Sequence, residues 1–348
     1  MLKKNKYFFP VLIILLIITL ICAIAFGSVS LSLNDMGNGF KKLFTGEEST
    51  IRENVFIQLR LPRVLLCGIT GAVLAVSGVL MQGLFRNPIV EPGLVGTSAG
   101  ASFGAAFIFV VAPKISPAFK SVTGPLLVPL FAFLGSLLAT FAVYALAKNS
   151  KRVSILSLLL VGLAINAVAI SGTSFMSYIA RDPQARSIAF WNMGIFSGAS
   201  WLQVAIVGGV AALVFIFTFF VSKQLNALLL GEEEAGYLGV DVNKLKTRVL
   251  ILNTAMVSVA TAFVGTIAFM GLIIPHILRL LIGSDNKRLL PASMIAGAIL
   301  MNWADVGSRL IVAPAEMPVG IITSLVGAPI FIILLKKFNV LQKGGYHA

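Results

Sequence analysis

Residues 249–282 read VLILNTAMVSVATAFVGTIAFMGLIIPHILRLLI, an almost unbroken apolar run of 34 residues. A helix needs only about 20 residues to cross the ~30 Å hydrocarbon core of a bilayer, so this run is too long for one ordinary crossing. Lys244, Lys246 and Arg248 stand before it, and Lys287 and Arg288 after it. Short loops rich in Lys and Arg stay on the cytoplasmic side. With both flanks on that side the run must cross twice, turning near Gly265-Thr266 and giving two short spans.

The rest of the chain is of the same kind. Of 348 residues, 58% are apolar and 11% charged, and the mean hydropathy is +0.97. A soluble domain is about a quarter charged, so a water-soluble enzyme, a disordered tail and a fibrous protein are excluded. Further apolar segments lie at 7–26, 61–84, 92–112, 126–147, 153–175, 201–221, 290–311 and 319–335. With the two crossings of 249–282 they predict an all-α polytopic membrane protein, with about ten transmembrane helices in a single domain, 1–348. The 7–26 run follows Lys3, Lys4 and Lys6 and exceeds the usual signal-peptide core, which favours a retained first span over a cleaved one. An inside amino end puts the basic loops 148–152, 244–248 and 336–337 in the cytoplasm, and both termini are expected there. The net charge of +14 then reads as an orientation signal. No basic face with interleaved aromatics marks a nucleic-acid partner. Cys22 and Cys67 lie in apolar stretches and read as buried thiols, not as a disulfide framework or a metal site.

The polar residues narrow the function. Ion-coupled transporters place ionisable groups in the membrane, whereas the predicted spans hold no Glu and a single Asp, Asp305. It lies near an outer end, four residues before Arg309, as a local helix-face pair. A secondary transporter is therefore disfavoured. His276 follows Pro275, and with only His347 besides it cannot supply a catalytic zinc site, so it reads as a structural residue at a kink. No cofactor or metal is expected. Gly96, Gly100 and Gly104 share one helical face, which suits close packing against another helix. Gln82, Asn166 and Met176 are polar or adaptable groups in or near spans and are candidates for a translocation path, although Asn166 equally suits a bond to a neighbouring helix.

The longest polar cytoplasmic stretch is Ser222–Lys246. It predicts two short helices broken at Gly231, the second opened by Glu232, Glu233 and Glu234 and ending near Gly239. Membrane-surface helices favour Lys and Arg on the polar face. An acidic start backed by Ala235 and Leu238 reads instead as a docking element for another protein. At the opposite face, Arg60 and Arg63 stand three apart at the outer start of the second span, with Arg309 at the outer end of the ninth.

Several segments carry a family resemblance. They are Leu59-Arg60-Leu61-Pro62-Arg63, Ser77-Gly78-Val79-Leu80-Met81-Gln82, Arg86-Asn87-Pro88-Ile89-Val90-Glu91-Pro92-Gly93, Gly231 to Gly239, Gly271-Leu272-Ile273-Ile274-Pro275-His276 and Glu316-Met317-Pro318-Val319-Gly320. In this order and spacing the chain resembles, over nearly its full length, the FecCD-type permease subunits of ABC importers for iron–siderophores, haem and cobalamin. The resemblance implies ten spans, a homodimer with the pathway on its axis, two cytoplasmic ATPase subunits and an extracytoplasmic substrate-binding protein. It implies a place in the bacterial cytoplasmic membrane, surrounded by membrane lipid, and an iron chelate as cargo, with cobalamin as the alternative. It puts the ATPase contact at Glu232–Gly239, and matches Arg60, Arg63 and Arg309 to arginines that meet acidic residues on the receptor lobes. The chain has no G-x-x-x-x-G-K-[ST] loop, in accord with ATP hydrolysis on a separate subunit. Thr266, often proline in the family, and Asn286, usually histidine, depart from the pattern.

Overall fold

The computed structural model describes residues 6–27, 31–45, 49–112, 117–149 and 152–344. Helix α1 (Phe8–Ala25) is followed by α2 (Leu33–Thr45), the single turn α3 (Ile51–Asn54) and a π-helical segment Val55–Arg60 that runs into α4 (Leu61–Phe85). After a 3-10 turn at Pro92–Val95 come α5 (Thr97–Val111), α6 (Pro117–Ala147) and a two-residue hairpin, β1 (Lys148–Asn149) with β2 (Arg152–Val153). Then follow α7 (Ile155–Ile179), α8 (Gln184–Trp191), α9 (Trp201–Leu228), α10 (Glu232–Tyr237), α11 (Val242–Val264), α12 (Met270–Ile282), α13 (Asn286–Leu310) and α14 (Val319–Gly344). Among the described residues, seven helices are long and apolar enough to span a membrane, and α5, α12 and α14 contribute shorter apolar stretches.

Helix α4 runs through the middle of the bundle and is buried on nearly every side. Without water between helices there is little hydrophobic drive to associate, so close backbone approach must supply the contact. Gly71 of α4 and Gly297 of α13 meet reciprocally: a β-carbon on either would collide with the other's carbonyl oxygen. Gly78 lies in the same way against the carbonyl of Gly271 at the start of α12. The glycine face of α5 does meet a helix, since Gly100 abuts Gly135 and Gly104 abuts Phe131, both on α6. Helices α6, α7 and α9 turn Phe141, Leu160, Leu163, Phe217 and Phe220 outward, an apolar rim suited to lipid.

Three boundaries differ from the reading of the sequence. The third apolar segment is helical only from Thr97, because Pro92–Val95 forms a tight turn and Gly96 closes it with φ +91°. Leu225 and Leu228, expected in a separate short helix, are buried residues of α9, which continues to Leu228. The connection is correspondingly shorter than Ser222–Lys246, since α11 begins at Val242, where Asp241 accepts a hydrogen bond from the Lys244 amide at 3.1 Å. That bond and the adjacent Lys244 ammonium hold the Asp241 carboxyl below the usual range. The 249–282 run is indeed broken, between Val264 and Met270.

Candidate functional site

The break at 265–269 is one of several irregular segments that converge inside the bundle. Gly265 turns at φ +80°, against the carbonyl of Trp191, where a side chain has no room. The Ile195 amide donates to Val264 at 2.8 Å, and the amides of Val319 and Gly320 donate to Gly194 and Met193 at 3.0 and 2.9 Å. Non-helical backbone at membrane depth is tolerated only where protein buries it or where it lines a water-filled cavity. Here protein buries it on one side, and a cavity of about 640 Å³ adjoins it on the other. Its polar lining includes Glu91, Ser98, Ser102, Asn166, Asn192 and Thr266, and its rim carries the exposed Ile170 of α7 and Leu325 of α14.

Asn166 lies near the middle of α7 and donates to the Leu94 carbonyl at 3.3 Å, while its Oδ1 has no partner among the described residues. It ties two segments together, as one reading of the sequence expected, and it also lines the cavity. Glu91 precedes the third apolar segment and so falls outside the predicted spans. It nevertheless reaches the break, where its Oε1 accepts from the Phe269 amide at 3.4 Å, and Phe269 is held at φ +68°. Thr266 donates its hydroxyl to the Asn192 carbonyl at 2.6 Å.

At one end of the bundle, the short helix α10 packs against the ends of α9 and α11. Glu232 is tied inward, accepting from the buried Lys246 ammonium at 2.7 Å, and that ammonium also donates to the Val153 carbonyl. Ala235, expected to face a partner, is fully buried instead and joins the core beside Leu228 and Leu245. A six-residue helix has only one outward face, and the tether at Glu232 turns Ala235 away from it. The outward face carries Glu233, Glu234, Tyr237 and Leu238, with Tyr237 89% exposed. Tyr237 escaped the sequence reading, which singled out acids and aliphatics only.

At the other end, the three arginines come together. Arg63 donates from Nε and Nη2 to Oδ1 of Asp305 at 3.0 and 2.9 Å, and from Nη1 to both oxygens of Glu316 at 2.9 Å. The Nε of Arg309 lies 3.0 Å from the second Asp305 oxygen, a charge contact without an aligned hydrogen bond. Arg309 and Arg60 also donate to the carbonyls that close α1: Arg309 to Ala23 and Phe26, Arg60 to Phe26. Such carbonyls lack intrahelical partners and favour cations. Arg60 and Arg309 are buried, and only the edge of Arg63 is exposed. The predicted Asp305–Arg309 pair is present; Arg63 and Glu316 complete it.

Residues 15–337 match the FecCD transport family. The chain belongs to that family. It is 38% identical over 336 residues to the hemin transport system permease HmuU of Yersinia pestis, covering 96% of each chain. It is 36% identical over 289 residues to the vitamin B12 import permease BtuC of Vibrio parahaemolyticus, covering 83% of this chain and 85% of that one. A metal-chelate type ABC transporter solved in an inward-facing conformation has the same fold, with a TM-score of 0.83 and 31% identity over 96% of this chain and all of that one. The protein is therefore a multi-pass ABC transporter permease.

Two of the candidate path residues fall elsewhere in this FecCD permease. Met176 is half-buried on α7, outside the lining of the cavity. Gln82 is fully buried within the bundle and donates its amide to the carbonyls of Gly271 and Leu272, each at 3.2 Å. The reason is Pro275: it has no N–H, so the carbonyl four residues earlier, Gly271, loses its helical partner. Gln82 supplies the replacement. Gln82→Leu should therefore lower the thermal stability of the detergent-solubilised protein by about 1–3 kcal/mol. Pro275→Ala in the same chain should recover part of that loss, because it restores an amide to Gly271. A double-mutant cycle with no coupling would refute the pairing.

Proposed function

We propose that this permease is the membrane-spanning subunit of an ATP-driven, binding-protein-dependent importer that carries an iron chelate into the cytoplasm. The observation that supports this best is the cavity of mixed lining inside the bundle, bounded by broken helices and rimmed by α7 and α14. In a homodimer that pairs these rims, two cavities would face each other across the axis and form one pathway. The ten apolar helices then all cross the membrane, with both termini in the cytoplasm of a bacterial cell. The cavity wall mixes hydroxyls, amides and apolar groups, as suits a bulky chelate held loosely and released. HmuU makes hemin the first cargo to test, and BtuC keeps cobalamin as the second reading.

The exposed side of α10 is proposed to dock the ATPase, since it lies at the cytoplasmic end under this topology. The arginine end is proposed to receive the binding protein. Three guanidiniums against the carboxylates of Asp305 and Glu316 leave one net positive charge per protomer, which favours acidic receptor lobes and acts mainly on encounter rate.

The test is reconstitution with the cognate ATPase and receptor, offering haem, a ferric siderophore and cobalamin in turn. Asn166→Trp should cut uptake of the true cargo by about tenfold or more, as expected for a barrier raised by 1.4 kcal/mol or more. Basal ATPase activity should be retained. Unchanged uptake would remove the cavity from the pathway.

A further inference from the structure

A second concavity lies far from the pathway, on the outer side of α6 and α11. It is a groove of about 370 Å³ between Phe133, Leu137 and Phe141 on one wall and Leu250, Ile251 and Ala255 on the other. Phe141 and Ile251 are more than 60% exposed, so the groove opens sideways. At its end, Tyr144 and Thr247, whose hydroxyls lie 3.2 Å apart, are shared with a second pocket of about 340 Å³. The cationic lining of that pocket is Lys148, Lys244 and Arg248.

The two compartments have the shape and polarity of one phospholipid. From Phe133 to Tyr144 is eleven residues of helix, about 16 Å at 1.5 Å per residue, close to half of the ~30 Å hydrocarbon core. The basic pocket is built rather than incidental. Asn243 accepts from the Val153 amide at 3.4 Å, and Lys246 donates to the Val153 carbonyl at 2.9 Å, so the hairpin forms a fixed wall. Lys244 pairs with Asp241 at 3.0 Å. Lys148 sits over the Tyr144 ring, and among the described residues neither it nor Arg248 has a carboxylate partner. One turn into the groove, the buried Thr140 hydroxyl has no partner among the described residues. Basic pockets between helices on the cytoplasmic side are suited to anionic headgroups.

We propose that this site binds one anionic phospholipid of the leaflet on the α10 side. Its phosphate lies among Lys148, Lys244 and Arg248, and one acyl chain lies in the groove. This assignment is independent of the cargo.

The test uses the purified full chain, with native mass spectrometry and thermal melting in the presence of phosphatidylglycerol, phosphatidylcholine or inorganic phosphate. Phosphatidylglycerol should be retained at one per chain and raise the melting midpoint, and the other two should not. Lys148→Gln with Arg248→Gln should weaken retention about thirtyfold, at about 1 kcal/mol for each basic residue. Ala255→Trp fills the groove with all three cations in place and should abolish the preference as well. Ile251→Trp, on the exposed wall, serves if that variant does not fold. Equal effects of the two lipids, a phosphate effect as large as the lipid's, or retention unchanged in the filled groove would each overturn the proposal.

Discussion

Asp305→Ala should all but eliminate folded protein from the membrane fraction. Asp305 is completely buried, and its two oxygens face the guanidiniums of Arg63 and Arg309 at 2.9 and 3.0 Å. Removing one partner of a buried ion pair costs about 3–5 kcal/mol, because the charge left behind has neither water nor counter-charge. Here Arg309 is left with backbone carbonyls alone and Arg63 with only the half-exposed Glu316, and Arg60 bonds the same Phe26 carbonyl as Arg309, so the repulsion spreads through the cluster. The junction of α1, α4 and α13 should fail together. Glu316→Ala is the contrast: that side chain is 41% exposed, and its pair should contribute no more than about 1 kcal/mol. Yield and melting midpoint of the two variants, compared in one detergent, check this. If Asp305→Ala melts with the parent protein, the cluster has no structural role and its arginines are free to serve a receptor alone.

Asp305 also shows what a sequence reveals and what it hides. Its pairing with Arg309 was legible because four residues on a helix share a face. Its stronger pairing with Arg63 was not, for the two lie 242 positions apart and meet only because α4 packs on α13. The break within 249–282 was legible for a different reason: bilayer thickness and flanking charge call for it without any knowledge of neighbours. Hydropathy failed at residues 92–96, where Pro92 and Gly93 are apolar enough to pass for helix but fold as a turn. The same failure hid Glu91, which precedes the predicted span and yet reaches the backbone break at Phe269. Gln82 hides the opposite kind of partner. Polarity within a span suggests a path, while its amide bonds a carbonyl exposed by a proline 193 residues later and its oxygen accepts from Arg279.

The second large effect is expected at α10, where Leu238→Asp should uncouple the transporter without unfolding it. Leu238 is 63% exposed and its neighbour Tyr237 89%, so a charge there should change stability by no more than about 0.5 kcal/mol. An exposed aromatic beside an exposed aliphatic on a short rigid knob is the composition of an interface anchor. Loss of such an anchor costs about 2 kcal/mol, roughly thirtyfold in affinity. Gly239→Pro should act by a different route. Gly239 has φ +81° and donates its amide to Gly236 at 2.9 Å. Proline can satisfy neither, its φ being fixed near −65° with no N–H, so the turn that presents Leu238 must rearrange. Ala235→Asp marks the limit of the face: it forces a carboxylate into the core and should damage folding. In membranes reconstituted with the ATPase and receptor, Leu238→Asp and Gly239→Pro should abolish receptor-stimulated hydrolysis and uptake, and the ATPase should no longer co-purify. If both variants retain the ATPase and transport at the parent rate, the contact lies elsewhere on that end of the bundle.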